Sequence, residues 1–408
     1  MTALLAVVSI VTAQAETHAV RFRALAPRAG RTRVTSGNDS AIPAGCYFDR
    51  EILSGGKQDG VELLTLHNGR LTITVIPTRG MSVLRVEDAL HPDFKLGWDS
   101  PVKQVVHPQY MDLESRGGLG WLEGFNEWMC RCGLEYAGHP GLDEFTTNTG
   151  DTAKMTLTLH GKIGNIPAHN VGVSVETEGD KSKLVISGDV SEHMFFGPKL
   201  SLTTKLWTEP GADWFVIEDA VKNVGAGEQE FQLIYHANYG APLLGEGSKV
   251  LFPFKSVTPM SGGAAKGVQN YATYKGPTLG FTEEVFLVEP LAKDGSTLAV
   301  LKDAKGETAT SLHWKTNELP YLTVWKNTAA TADGYVTGIE PATGYPFNRK
   351  IERKFGRVPK LKPNESRSFS LKFQIHFGKD AVSSVESEVT KLQGSTKGVI
   401  HSEPPKID

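Results

Sequence analysis

Phe369-Ser-Leu-Lys-Phe-Gln-Ile-His-Phe377 alternates apolar and polar side chains from end to end. A helix would gather positions three and four apart on one face, whereas an extended chain sends alternate side chains to opposite faces. The stretch therefore reads as a strand with one buried side. The same period, or a β-branched and aromatic run of similar length, recurs at Leu71-Thr-Ile-Thr-Val-Ile76, Met155-Thr-Leu-Thr-Leu-His160, Val171-Gly-Val-Ser-Val-Glu176, Leu184-Val-Ile-Ser187, Leu200-Ser-Leu-Thr-Thr-Lys-Leu-Trp207 and Trp214-Phe-Val-Ile217, with Gly, Pro, Asn and Asp between them. Strands repeating every ~10–15 residues predict an all-β chain built as a large sandwich of antiparallel sheets. No alternation of strands with helices suggests a nucleotide-binding fold.

Helical signals are few. Val382, Val385, Val389 and Leu392 share one helical face, so 380–393 is expected to be a short closing helix. Residues 16–44, rich in Arg, Thr, Ser and Gly, read as an extended lead-in, and the polar, Pro-containing 394–408 as a loose tail. No long linker or fixed-period repeat divides the chain, so 45–393 is expected to form one domain. Residues 1–15 join an apolar run to Ala-Gln-Ala, the pattern of an export signal cleaved after Ala15, although a basic n-region is missing. That predicts a periplasmic or extracellular protein. The run is too short to span a bilayer and no later run is long enough.

With 408 residues, 39% hydrophobic and 22% charged, and a formal net charge of -3, the chain can bury a sizeable core and offers no electrostatic case for nucleic acid. Three cysteines, Cys46, Cys130 and Cys132, do not make a disulfide framework. Cys46 could pair with Cys130 or Cys132 in an oxidising compartment, but small buried apolar residues are the preferred reading. A single Cys-x-Cys does not make a zinc site.

Two segments gather polar chemistry at the ends of apolar runs. Phe231-Gln-Leu-Ile-Tyr-His-Ala-Asn-Tyr-Gly-Ala-Pro242 brings His236, Asn238 and Tyr239 together before a Gly/Pro break, and Gly338-Ile-Glu-Pro-Ala-Thr-Gly-Tyr-Pro346 sets Glu340 in an apolar, Pro/Gly setting. A histidine and a partly desolvated carboxylate are the minimum for acid–base catalysis. Arg79, His160 and Glu283 also follow or end expected strands. Each has a plainer reading: Arg79 as an edge residue or a partner of Glu87, the histidines as half-buried rings with backbone partners, Glu283 with Glu284 as a solvated face. His139, His169 and His313 compete for the histidine role. Gly117-Gly-Leu-Gly-Trp-Leu-Glu-Gly-Phe-Asn-Glu-Trp-Met-Cys-Arg-Cys-Gly133 mixes glycines with Trp121, Trp128, Glu123 and Asn126 and suits a loop close to a ligand, where an indole offers a flat face to a sugar ring. Buried turn tryptophans are the equal alternative. There is no Gly-x-x-x-x-Gly-Lys-Ser/Thr loop, no His-Glu-x-x-His and no Gly-x-Ser-x-Gly.

The run Asp219-Ala-Val-Lys-Asn-Val-Gly-Ala-Gly-Glu-Gln-Glu-Phe-Gln-Leu-Ile-Tyr-His-Ala-Asn-Tyr239 resembles the part of aldose 1-epimerases in which an Asn-Gly turn leads to a histidine. Together with Gly118 to Gly133, His160-Gly-Lys-Ile-Gly-Asn-Ile-Pro-Ala168 and Gly338-Ile-Glu-Pro341, in that order over roughly 50–378, it is similar to an uncharacterised branch of the galactose-mutarotase-like superfamily. The resemblance implies a β-supersandwich with a cleft for a monosaccharide and no cofactor or metal. In that family a histidine protonates the ring oxygen and a glutamate takes the anomeric hydroxyl proton. By position, His236 would be the acid and Glu340 the base. Arg79, His160, Asn238, Glu283, Trp121, Glu123 and Asn126 would bind the sugar. Glu283 departs from the family's aspartate, and 117–133 differs from ordinary aldose epimerases. Alternatives are a non-catalytic carbohydrate-binding protein, since fold does not fix function, and a glycoside lyase or hydrolase using the same pocket. The reading requires His236, Glu340, Arg79 and His160 to line one cleft.

Overall fold

Alternating side chains need a partner layer for their apolar face, and two large sheets supply it for each other. A computed structural model of the protein describes residues 15–22 and 30–407. Among these residues, one sheet has nine strands, in the order Glu16–Val20, His169–Glu178, Lys181–His193, Lys199–Thr208, Trp214–Asn223, Ser366–Phe377, Thr308–Lys315, Ser296–Lys302 and Lys249–Leu251. The other has thirteen; Met129–Leu134, Gln232–Tyr239, Val336–Ala342 and Tyr321–Asn327 are neighbours in its middle. Pairing is antiparallel except where Val399–Ile400 adds alongside Ser256–Val257.

The inner faces of the sheets form one core. Leu202, Phe215, Ile217 and Phe373 of the nine-stranded sheet join Phe48, Ile73, Leu233 and Val324 of the other. Trp128 stands edge-on to Phe373, ring centroids 4.9 Å apart, so this tryptophan belongs to the core and not to a ligand wall. A polar tie crosses the same space: Arg131 donates to both oxygens of Asp219, to Thr204 Oγ1 and to the Met81 carbonyl, and the Tyr235 hydroxyl donates to Asp219 at 2.8 Å. Every buried charge there is paired, which is the condition for such a group to be tolerated.

Several expectations change. Residues 1–14, almost all of the segment read as an export signal, lie outside the described residues. The extended lead-in is paired into both sheets: Glu16–Val20 with the His169–Glu178 strand, and Gly30–Thr35 with Tyr47–Ile52. The tail expected to be loose is pinned through Val399–Ile400, because the exposed edge of Phe254–Pro259 still has backbone groups to pair. The closing helix, Lys379–Gln393, buries Val382, Val385 and Val389 against Leu298 and Val300. All three cysteines are free and buried. No helix among the described residues is long and apolar enough to cross a membrane.

Candidate active site

The two-residue period that builds the core also selects what faces the other way. In Gln232–Tyr239 the side chains of Leu233, Tyr235, Ala237 and Tyr239 enter the inter-sheet core, which turns Ile234, His236 and Asn238 to the opposite face. The antiparallel register with Val336–Ala342 sets Ile234 across from Ala342 and Asn238 across from Gly338. His236 is therefore directly across from Glu340, and Thr323 pairs with Glu340 on its other side. The histidine and the glutamate sit mid-strand, not at strand ends or in a turn.

His236 Nε2 lies 3.3 Å from Glu340 Oε1. Both residues are almost wholly buried, and Oε1 has no hydrogen-bond partner, because the contact is close without being aligned. Gly338 makes room for them: a Cβ there would come within 2.3 Å of Glu340 Oε1 and 3.3 Å of His236 Cε1. Burial pushes the Glu340 carboxyl well above the usual carboxylate range, with the Glu283 charge adding to the shift. Burial likewise pulls His236 down to about 4, against the raising effect of the hydrogen bond that its ring donates to Asn238.

Which nitrogen of His236 carries its proton follows from its neighbour. Asn238 Nδ2 donates to the carbonyls of Glu127 and His236, each at 3.1 Å, so its Oδ1 faces His236 Nδ1 at 2.7 Å as an acceptor. Nδ1 then holds the hydrogen, and Nε2 is the atom that takes up or gives a proton. His160 is set by a different device. It lies in a left-handed turn (φ 60°) and donates from Nδ1 to the Ala137 carbonyl at 3.0 Å, which leaves Nε2 as an acceptor. Trp121 packs edge-on to its ring at 4.6 Å. Burial, with His236 alongside, holds His160 well below its ordinary value and so neutral.

These groups line a cavity of about 690 Å³, within the size range of small-molecule sites. His236, Glu340, His160, Trp121 and Glu283 all contribute to it. Glu283 is exposed at the mouth and accepts from Trp325 Nε1 at 2.9 Å. His139 also lines the cavity, whereas His313 lies on the other sheet and His169 on an exposed strand start.

Four expected sugar contacts are elsewhere. Arg79 is buried away from the cavity, where it pairs with Glu127 at 2.7 Å and donates to the Gly124 carbonyl at 2.8 Å; its partner is Glu127, not Glu87. Glu127 in turn supplies the carbonyl that holds both Asn238 and the Trp98 indole N–H. Arg79 and Asn238 thus belong to one buried chain of contacts that ends at the His236 ring. Asn126 ties its loop to the carbonyls of Val102 and Gln104. Glu123 is exposed and accepts from Ser115. A short polar side chain in a Gly-rich stretch reads alike whether it faces a ligand or a neighbouring loop.

Thr323, Trp325, Phe125 and Trp98 line the cavity without having been singled out. The first two could have been found: in Tyr321-Leu-Thr-Val-Trp-Lys-Asn327, Leu322 and Val324 face the core, so Thr323, Trp325 and Asn327 face the cavity. The Thr323 hydroxyl is buried without a partner. A larger, open groove of about 1120 Å³ elsewhere contains charged side chains of both signs, many already in mutual pairs such as Arg353–Glu230 and Lys360–Glu228. Among the described residues, none of the buried side-chain atoms left without a partner belongs to its lining.

Comparison with known proteins agrees with this fold. The family described as "Domain of unknown function (DUF4432)" matches residues 58–375. A solved Klebsiella pneumoniae structure, a candidate aldose 1-epimerase, is 39% identical over 96% of this chain and 99% of that one, with a TM-score of 0.85. A galactose mutarotase-like protein of Clostridium acetobutylicum, at 16% identity over 82% and 99% of the two chains, shares the fold with a TM-score of 0.54. An Escherichia coli K12 candidate aldose 1-epimerase, at 13% identity over 78% and 100%, does so at 0.50. A search of curated protein sequences finds no significant match. The chain belongs to the DUF4432 family and, with it, to the galactose-mutarotase-like superfamily.

Proposed function

We propose that the protein interconverts the anomers of a free sugar or sugar derivative by ring opening and closure, with His236 as general acid at the ring oxygen and Glu340 as general base at the anomeric hydroxyl. The observation that carries this reading is the cross-strand pair, 3.3 Å apart in a cavity walled by aromatic rings. Opening moves one proton from His236 Nε2 to the ring oxygen and one from the anomeric hydroxyl to Glu340. The pair begins as imidazolium and carboxylate and ends as neutral imidazole and carboxylic acid. The second distribution is the one burial favours, so the open-chain aldehyde rests over an uncharged pair while the C1–C2 bond rotates.

Entry of the cyclic sugar supplies the opposite bias. A hydroxyl donating to the unpartnered Glu340 Oε1 stabilises the carboxylate, and charge on one partner favours charge on the other. His160 Nε2, free because Nδ1 is engaged, and the unpartnered Thr323 hydroxyl would bind sugar hydroxyls. Acid and base are each worth about 10²–10⁴-fold.

Saturation-transfer NMR across a panel of free sugars tests the reading. Glu340→Gln and His236→Asn are each expected to cut catalysed exchange by about 10²-fold or more while the thermal unfolding transition is retained. Wild-type rates in both variants would remove the assignment. Export is part of the proposal, and a mature protein beginning at Glu16 is its expected mass-spectrometric signature.

A further inference from the structure

The wall of the cavity carries a charge bias that anomer exchange does not require. Its ionisable lining groups are the carboxyls of Glu283, Asp333 and Glu340 and the rings of His139, His160 and His236; among the described residues, no lysine or arginine lines it. Burial lowers all three histidines, so they supply no standing positive charge. A phosphate, sulfate or carboxylate on a sugar would enter a site without a counter-charge and against two exposed acids.

Of the two acids at the mouth, one is held at the edge of an indole and the other projects from a turn packed against a second indole. Trp325 Nε1 donates to Glu283 Oε2 at 2.9 Å, which anchors the carboxylate at the ring edge and adds electron density to the ring face. Asp333 ends the short helical turn Thr331–Asp333, and the next residue, Gly334, has φ 93° and packs so closely that a Cβ there would meet Trp98 Cζ3 at 3.1 Å. Asn327 Nδ2 donates to the Gly334 carbonyl at 3.0 Å and holds the turn in place. Carboxylates interleaved with indole faces at an opening are the combination that attracts an organic cation.

We propose that Glu283, Asp333, Trp98 and Trp325 form a subsite for an ammonium group, so that the enzyme prefers sugars bearing a protonated amine and rejects anionic ones. The inference rests on the anomer-exchange reading for the reaction, but concerns selection at the mouth and is measurable as binding alone. Exposed acids and aromatic faces together are expected to give a preference of about tenfold.

The test uses the whole protein at a pH where the amines are protonated. Dissociation constants are measured by calorimetry for D-glucosamine, D-galactosamine and D-mannosamine, the three parent hexoses, the three N-acetyl derivatives and D-glucuronate. Expected is at least one amine bound about tenfold more tightly than both its parent and its uncharged N-acetyl form, with D-glucuronate weakest of all. In the Glu283→Gln, Asp333→Asn double variant the ratio of amine to parent is expected to fall to about twofold or less. Parent sugars bound as tightly as their amines, a preference that survives the double substitution, or no binding across the panel would overturn the subsite. Amine-selective binding without catalysed exchange would instead leave the subsite standing and overturn the proposed reaction.

Discussion

His236 Nδ1 lies 2.7 Å from Asn238 Oδ1, two residues further along the same strand and on the same face, and the Asn238 amide is locked by two carbonyls. That contact sets the tautomer and hence the atom that can exchange a proton with a ligand. Asn238→Ala is expected to lower kcat by about ten- to hundredfold, the cost of a misaligned catalytic group, with a smaller change in KM. Asn238→Asp puts a negative charge beside the ring and raises the His236 pKa, so the acid limb of the rate profile moves up from about 4. An Asn238→Ala variant altered only in KM would argue for direct sugar contact.

The pH dependence of kcat/KM follows from the same pair. In the proposed mechanism the free enzyme competent for exchange would hold one proton on His236 and Glu340 together. Below about 4 the histidine adds a second, and no base remains. On the alkaline side Glu340 loses the shared proton and no acid remains; burial, and then the Glu283 charge, place that limb well above the usual carboxylate range. Glu283→Gln removes the like charge and is expected to shift the alkaline limb to lower pH. An unmoved limb would show that Glu340 does not feel Glu283.

Gly338 is expected to be sensitive to the smallest substitution. An alanine methyl would sit 2.3 Å from Glu340 Oε1, and the flexible carboxylate, not the strand, would yield. Gly338→Ala should lower kcat by about 10²-fold with an unfolding midpoint close to wild type, because the change separates acid from base without opening the core. Unchanged exchange kinetics would mean that the observed separation is not the productive one.

Arg79→Met leaves Glu127 buried without its partner, at an expected cost of about 3–5 kcal/mol in urea unfolding. Arg79→Met with Glu127→Met is expected to recover part of that loss, since both charges are then gone. A residue that bound sugar would show the reverse, a raised KM at full stability.

Glu192 accepts from the Leu134 and Glu135 amides, and burial pushes it from 4.5 to about 7. Between those values the folded protein holds a proton that the unfolded chain has released, so stability falls as pH rises through the window, by about 3 kcal/mol. Glu192→Gln should flatten this dependence, as read by urea unfolding at pH 5 and pH 8. An equal pH slope in both proteins would place the titration elsewhere.

The strands were legible because alternation is a local signal, and Phe369–Phe377 shows it within nine residues. Register is not local. That Ile234 pairs with Ala342 depends on segments about a hundred residues apart, so His236 and Glu340 could be named from sequence but not placed opposite each other. Burial direction was a further limit: Arg79, at the end of a strand in either reading, turns inward because Glu127 is there to meet it. The pairing of the extended lead-in and of the tail was not legible for a related reason, since their strands form only where a sheet edge is free to pair.

The division of labour between ladder and loops has a consequence for descent with change. His236 and Glu340 belong to adjoining mid-sheet strands, while Glu283, Asp333, Trp98 and Trp121 come from connections around the rim. Insertions or exchanges in those connections can alter which molecule is admitted without disturbing the distance over which a proton would travel in the proposed reaction. New ligands can therefore be acquired piecemeal while the paired histidine and glutamate are inherited intact.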